Sequence, residues 1–100
     1  MPLFKKWSSF NKDNVLMETD AFGIYELTDR DGTIIYIGQG RISSRLNSHF
    51  LNGRHPIPKT SYYRVEVVGN KERSEQRERS EIRAHKRSHG YCPSYNMRLG

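Results

Sequence analysis

Apolar side chains are scarce in this chain. Only 34% of its 100 residues are hydrophobic, against roughly 45–50% in an average domain when glycine is counted. The core should therefore be thin, and a length of 100 residues is expected to fit one domain with no room for a second full core. Cysteine is almost absent. Cys92 stands alone, so no internal disulfide can form, which favours a reducing, cytoplasmic setting and a packing role for that side chain. No apolar run approaches the roughly 20 residues of a membrane span. The opening Met1–Trp7 lacks the apolar stretch of a signal peptide. The expectation is an intracellular protein with no membrane partner.

What the chain does contain is aromatic and basic. Six Tyr, four Phe and one Trp must supply much of the buried area, since each can bury about 150–250 Å². The net charge of +6 suits a polyanion, most often nucleic acid. A merely soluble basic protein is the plain alternative.

The chain order reads as a small α+β domain. Residues 1–20 form an N-terminal arm or short accessory element. Phe4, Trp7 and Phe10 are three apart, so they fit one side of a short helix, or equally an irregular packed arm, with Lys5, Lys6 and Lys12 as basic company. Residues 21–100 form the domain proper. Ala21–Leu27 and Thr33–Ile37 read as strands joined through Asp31-Gly32, a hairpin signal. Arg41–Leu51 reads as a helix, opened after Gly38-Gln-Gly40. Asn52–Thr60, with Pro56 and Pro58, is a loop. Tyr62–Val68 is a third strand, Lys71–Ser88 a long charged helix, and residues 90–100 a tail.

Several side chains stand out by placement. Tyr25 and Tyr36 lie on one face of the sheet if the hairpin loop has an even number of residues; a three-residue loop would separate them. Alone, such a pair merely stabilises a sheet. On the first helix Arg45 and His49 are i and i+4 and flank the apolar stripe Ile42, Leu46, Phe50. An Arg there can hold a phosphate with its planar fork, or be a surface charge. On the second helix Glu75, Glu81, Ile82, His85 and His89 lie within about 60° of Glu78. Arg73, Gln76, Arg77, Arg79, Ser80, Arg83 and Arg87 occupy the other side or its margins. Glu78 thus points inward, where a carboxylate is costly unless paired or bound to a cation.

Taken together these elements resemble the GIY-YIG nucleases, a family that includes homing endonucleases, some restriction enzymes and the 3′-incising domain of the bacterial excision-repair nuclease. Gly23-Ile24-Tyr25 and Tyr36-Ile37-Gly38 match the naming tripeptides. Arg45-Leu-Asn-Ser-His49 matches Arg-x-x-x-His, Glu78-Arg-Ser-Glu-Ile82 matches Glu-x-x-x-Ile, and Pro93-Ser-Tyr-Asn96 is similar to Pro-x-Tyr-Asn. Among the neighbouring acids, Glu78 is the match because Ile82 follows at the expected offset.

The resemblance implies a three-stranded antiparallel sheet flanked by helices. It implies a metal-dependent endonuclease in which Glu78 holds a divalent cation, Mg²⁺ or Mn²⁺. Tyr25 would act as general base with Tyr36 orienting the water or sharing that role, Arg45 would bind phosphate, His49 would relay a proton or touch phosphate, and Asn96 would brace the site. A tyrosine base implies a rate that rises with pH above neutrality. Arg41, Arg54, Lys59 and Arg79 are candidate phosphate contacts, which give affinity without sequence readout. No helix-turn-helix or zinc finger is present. The expected substrate is nucleic acid, DNA ahead of RNA, cut with low intrinsic sequence specificity. A homodimer or a partner protein would add specificity. The competing readings are a binding module that keeps the fold but has lost cleavage, and a protein-interaction domain.

Overall fold

The computed structural model describes residues 6–99, with side chains described as far as Asn96. Its elements run β1 (Ser8–Ser9), α1 (Lys12–Leu16), β2 (Phe22–Thr28), β3 (Ile34–Arg41), α2 (Ile42–Ser48), β4 (Tyr62–Val67), α3 (Lys71–His89) and α4 (Ser94–Leu99). The α+β class holds. The sheet has four antiparallel strands in the order β1-β4-β2-β3, one more than the three expected. The extra strand is only Ser8–Ser9, which pairs with Tyr63 and Tyr62 and is too short to leave a hydrophobic alternation in the sequence.

Residues 8–20 are stitched to the rest. Phe10 stacks on Phe50 at 4.3 Å and meets Tyr63 edge-on. Val15 is buried in the core. Asp20 accepts hydrogen bonds from the backbone N–H and hydroxyl of Ser44, so it caps α2 from outside. Trp7 does not share a face with Phe10, because it lies against Arg64 instead. Phe4 and Lys5 lie outside the described residues.

The hairpin resolves the question of face. Asp29 N–H donates to Thr33 O and Gly32, at φ +86°, closes the turn, which makes a three-residue loop. That loop alone would set Tyr25 and Tyr36 on opposite faces. A β-bulge between Leu27 and Thr28 shifts the register by one. Leu27 then faces Tyr36, and Tyr25 faces Gly38, so both phenols share one face after all. Strand β3 also runs on through Gly38 and Gly40 to Arg41, because these residues pair with Tyr25, Gly23 and Phe22. It is longer than its apolar stretch suggested.

Helix α2 ends at Ser48, three residues before the expected Leu51. The following loop takes over the last carbonyls: His55 N–H donates to Ser48 O and Ile57 N–H to His49 O. Helix α3 is bounded by an Asn70 side chain that accepts from Arg73 N–H and by Gly90 at φ +85°. The tail is not wholly irregular, since α4 starts after Pro93.

The tyrosine face of the sheet packs on Val15, Ile42, Leu46 and Ile57 to form the core. The opposite face is unusually polar, which accounts for the low apolar content. There Glu26, only 3% exposed, accepts from Arg64 Nε at 2.6 Å. Arg77 of α3 donates to Glu66 and Glu81. Arg77 therefore turns inward, against the expected outer placement, because two carboxylates wait for it. No helix among the described residues is long and apolar enough to cross a membrane.

Candidate active site

Three rings form the floor of the site. Tyr25 and Tyr36 lie with centroids 6.1 Å apart, and His49 sits 5.6 Å from Tyr25 and 5.3 Å from Tyr36. The phenolic oxygen of Tyr25 is 2.7 Å from His49 Nε2, and His49 Nδ1 is 2.8 Å from the carbonyl oxygen of His55. A carbonyl can only accept, so Nδ1 carries the hydrogen. Burial holds the His49 pKa down to about 4, so the ring is neutral near pH 7 and its Nε2 is a bare acceptor. Tyr25 must then be the donor.

Glycines make this arrangement possible. A Cβ on Gly38 would overlap the hydroxyl end of Tyr25 and the ring of Tyr36. The glycine of the second tripeptide thus serves as the empty space into which Tyr25 extends. Gly40, at φ +132°, lies beneath the aliphatic part of Arg45 in the same way.

Arg45 comes in from α2 and stands beside both phenols. Burial works against its charge, but the two hydroxyls raise its pKa. Its Nε is buried and has no hydrogen-bond partner, a deficit that an anion would fill. Glu78 reaches the group from α3. Strand β3 is the outer strand of the sheet, so a side chain from the helix on the far face can pass its edge. Burial raises the Glu78 carboxyl pKa, while Arg45 and Arg79 lower it. Its charge is also felt at Tyr36 and Tyr25. Burial raises the pKa of both phenols above the ordinary tyrosine value. Glu81 is engaged by Arg77 at 3.0 Å, and Glu78 is the acid whose charge bears on both tyrosines, with Glu75 close enough to raise its pKa.

Asn96 braces the edge. Its Oδ1 accepts from Ile37 N–H at 2.9 Å and its Nδ2 donates to Ile37 O at 2.8 Å, so the carboxamide takes the place of a missing neighbour strand beside Tyr36. Of the basic candidates, Arg79 is exposed next to Glu78. Arg41 is exposed at the start of α2, 3.7 Å from Asp20. Arg54 lines a cleft with Ser44 and Asn52, and Lys59 one with Asp29 and Asp31. These two clefts include none of the tyrosines, Arg45 or Glu78. The sequence reading missed the His55 carbonyl, which as a backbone group leaves no side-chain signal, and the capping by Asp20.

The architecture is that of a small α+β domain carrying a phenol–imidazole–guanidinium–carboxylate cluster at the edge of its sheet. The chain belongs to the family described as "Domain of unknown function (DUF7508)", which matches residues 1–87. It is also 34% identical over 87 residues to UvrABC system protein C of Saccharopolyspora erythraea, a match covering 79% of this chain. The chain spans about 11% of the length of that relative.

Proposed function

We propose that this domain hydrolyses phosphodiester bonds in nucleic acid, DNA ahead of RNA, as a GIY-YIG-type endonuclease using Mg²⁺ or Mn²⁺. The observation that carries the reading is the meeting of Tyr25, Tyr36, Arg45 and Glu78, from two strands and two helices, around a Tyr25–His49 hydrogen bond. The partial likeness to UvrABC system protein C points the same way.

The donor set fits one kind of metal. Among the described residues no three His, Cys, Asp or Glu gather in one place, which does not suit a zinc cage. A lone carboxylate such as Glu78 suits Mg²⁺, which keeps most of its waters and shares the substrate's phosphate. Bound there, the cation would polarise the phosphate and offset charge on the leaving oxygen.

The chain's own residues account for the rest. Arg45 donates to a non-bridging phosphate oxygen, using the Nε–H that has no partner in the protein. The attacking water bonds to phosphorus and passes its proton to the Tyr25 oxygen. Tyr25 hands its own hydrogen to His49 Nε2, 2.7 Å away, and the P–O bond to the leaving oxygen breaks. That oxygen takes its proton from solvent. In this relay the buried phenol never ionises, which matters because burial has raised its pKa. Arg45 is one of the charges that depress His49, so a phosphate paired with Arg45 makes His49 a better acceptor at that moment. Tyr36 orients the water. The His49 acceptor replaces the rising pH profile of a free tyrosine base with a plateau.

The test is nicking of supercoiled plasmid with Mg²⁺ and with Mn²⁺. Wild type should nick and chelator should stop it. Glu78→Ala and Tyr25→Phe should lose activity by about a hundredfold or more. Equal residual nicking in wild type and Glu78→Ala would leave a nucleic-acid-binding module that does not cut.

A further inference from the structure

Away from the tyrosines, at the hairpin end of the sheet, a cleft of about 260 Å³ is lined by Trp7, Thr28, Gly32 and Tyr62. Trp7 is 41% and Tyr62 40% exposed. In a chain this short of apolar residues, two large rings left half in solvent forgo burial that the core could use. Trp7 is held from behind. The Arg64 guanidinium lies 4.4 Å from its ring centroid, and Arg64 is fixed on Glu26 at 2.6 Å. Thr28, itself 1% exposed, keeps Oγ1 without a partner. Arg30 and Lys59 stand exposed on the neighbouring cleft beside the same turn. Flat aromatic walls, a spare hydroxyl and nearby cations describe a site for a planar ring with polar edges carried on a polyanion.

We propose that this cleft takes one unpaired nucleobase of the nucleic-acid substrate, stacked between Trp7 and Tyr62. The assignment rests on the nuclease reading for its choice of ligand, and it narrows the substrate to strands with a single-stranded or frayed segment. Thr28 lies three residues along β2 from Tyr25, about 10 Å, and on the other face of the sheet. The captured base is thus outside the cleavage point. A base held in a duplex stack cannot enter, so blunt duplex gains nothing from the cleft.

Trp7 is the single tryptophan of the chain, so its emission reports the site directly. The experiment titrates a labelled single-stranded oligonucleotide, and a blunt duplex of the same sequence, into protein with chelator present. Anisotropy and tryptophan emission are read together. Single strand should quench Trp7 saturably and duplex should not. Trp7→Ala and Tyr62→Ala should each weaken single-strand binding about tenfold and change duplex binding less than about twofold. Trp7→Phe should keep most of the affinity. Circular dichroism confirms that the variants fold. Single-strand binding that leaves Trp7 emission unchanged overturns the proposal, and so does equal loss for both ligands. Plasmid nicking by the same proteins tests the nuclease reading separately. A Glu78→Ala protein that no longer nicks yet still shows the Trp7 quench upholds both readings. Wild-type protein that shows the quench but does not nick overturns the nuclease reading alone, and wild-type protein that nicks without the quench overturns the cleft alone.

Discussion

Tyr25 donates its phenolic hydrogen to Nε2 of His49 across 2.7 Å, and the direction of that bond is fixed from the far side of the ring. There His49 Nδ1 donates to the His55 carbonyl. A loop backbone thereby sets the tautomer of a histidine, and the histidine sets which way a buried tyrosine can pass a proton. Residues 50–57, which fold back on the end of α2, thus set the orientation of the His49 ring.

That direction gives the pH dependence of nicking. With saturating metal and single turnover, the wild-type rate should be flat above about pH 6. It should fall at lower pH as His49, whose pKa is held to about 4, takes up a proton and can no longer accept one. His49→Gln should lose about 10²–10⁴ in rate and its residual rate should climb with pH. A wild-type rate climbing steadily through pH 9 would mean that Tyr25 ionises by itself.

The same histidine makes stability fall in acid. Its folded-state pKa lies near 4, below the ordinary 6.5, so between those values the unfolded chain binds a proton that the folded one does not. Stability is complete above pH 6.5 and is lost as pH falls towards 4, by about 3 kcal/mol in all. His85, whose pKa is also lowered by burial and by His89, adds to the trend. Denaturant midpoints at pH 7 and pH 5 measure it. His49→Gln should flatten the difference, leaving the His85 share. An undiminished slope in that variant would assign the effect elsewhere.

Part of this site was legible in the sequence, and the rest has identifiable reasons for being hidden. The proximity of Tyr25, Tyr36, Arg45 and Glu78 was legible because each motif carries its own spacing, and each of these groups feels the charge of others in the structure. The fourth strand was missed because two serines have no pattern. The shared tyrosine face was reached through a loop-length argument that the molecule satisfies differently, by a three-residue loop corrected by a bulge at Leu27/Thr28. The inward Arg77 was missed because a helical wheel ranks residues by polarity. It cannot see that Glu66 and Glu81 stand across from this one.

Gly38→Ala tests the space into which Tyr25 extends. A methyl group there overlaps the Tyr25 hydroxyl and the Tyr36 ring, so one of the two must move. We expect a loss of about 1–3 kcal/mol in stability, as for an overpacked core, and a fall in nicking out of proportion to the unfolded fraction. Thermal melts and nicking at a temperature where the variant is fully folded separate the two effects. Wild-type activity in a folded variant would show that the Tyr25–His49 distance does not govern the chemistry.

Asn96 holds the outer strand by two hydrogen bonds to the backbone of Ile37, one residue from Tyr36. Asn96→Ala removes both, which should cost about 1–3 kcal/mol. By the scaling for domains of this size, that lowers Tm by roughly 5–20 °C. Asn96→Asp keeps the oxygen that accepts from Ile37 N–H but sets a carboxylate oxygen against Ile37 O, so it should be no better than alanine despite its shape. The local consequence is sharper than the global one. The Ile37 amide, whose side chain is fully buried, should exchange with solvent faster in both variants, while the Tyr25 and Val65 amides on the inner strands keep their protection. Nicking should fall with Tyr36 displaced, yet the metal concentration for half-maximal rate should stay put, because Glu78 is on α3 and has no bond to Asn96. Unchanged exchange at Ile37 in Asn96→Ala would mean that the strand edge stands without this brace, and Asn96 would then need another role.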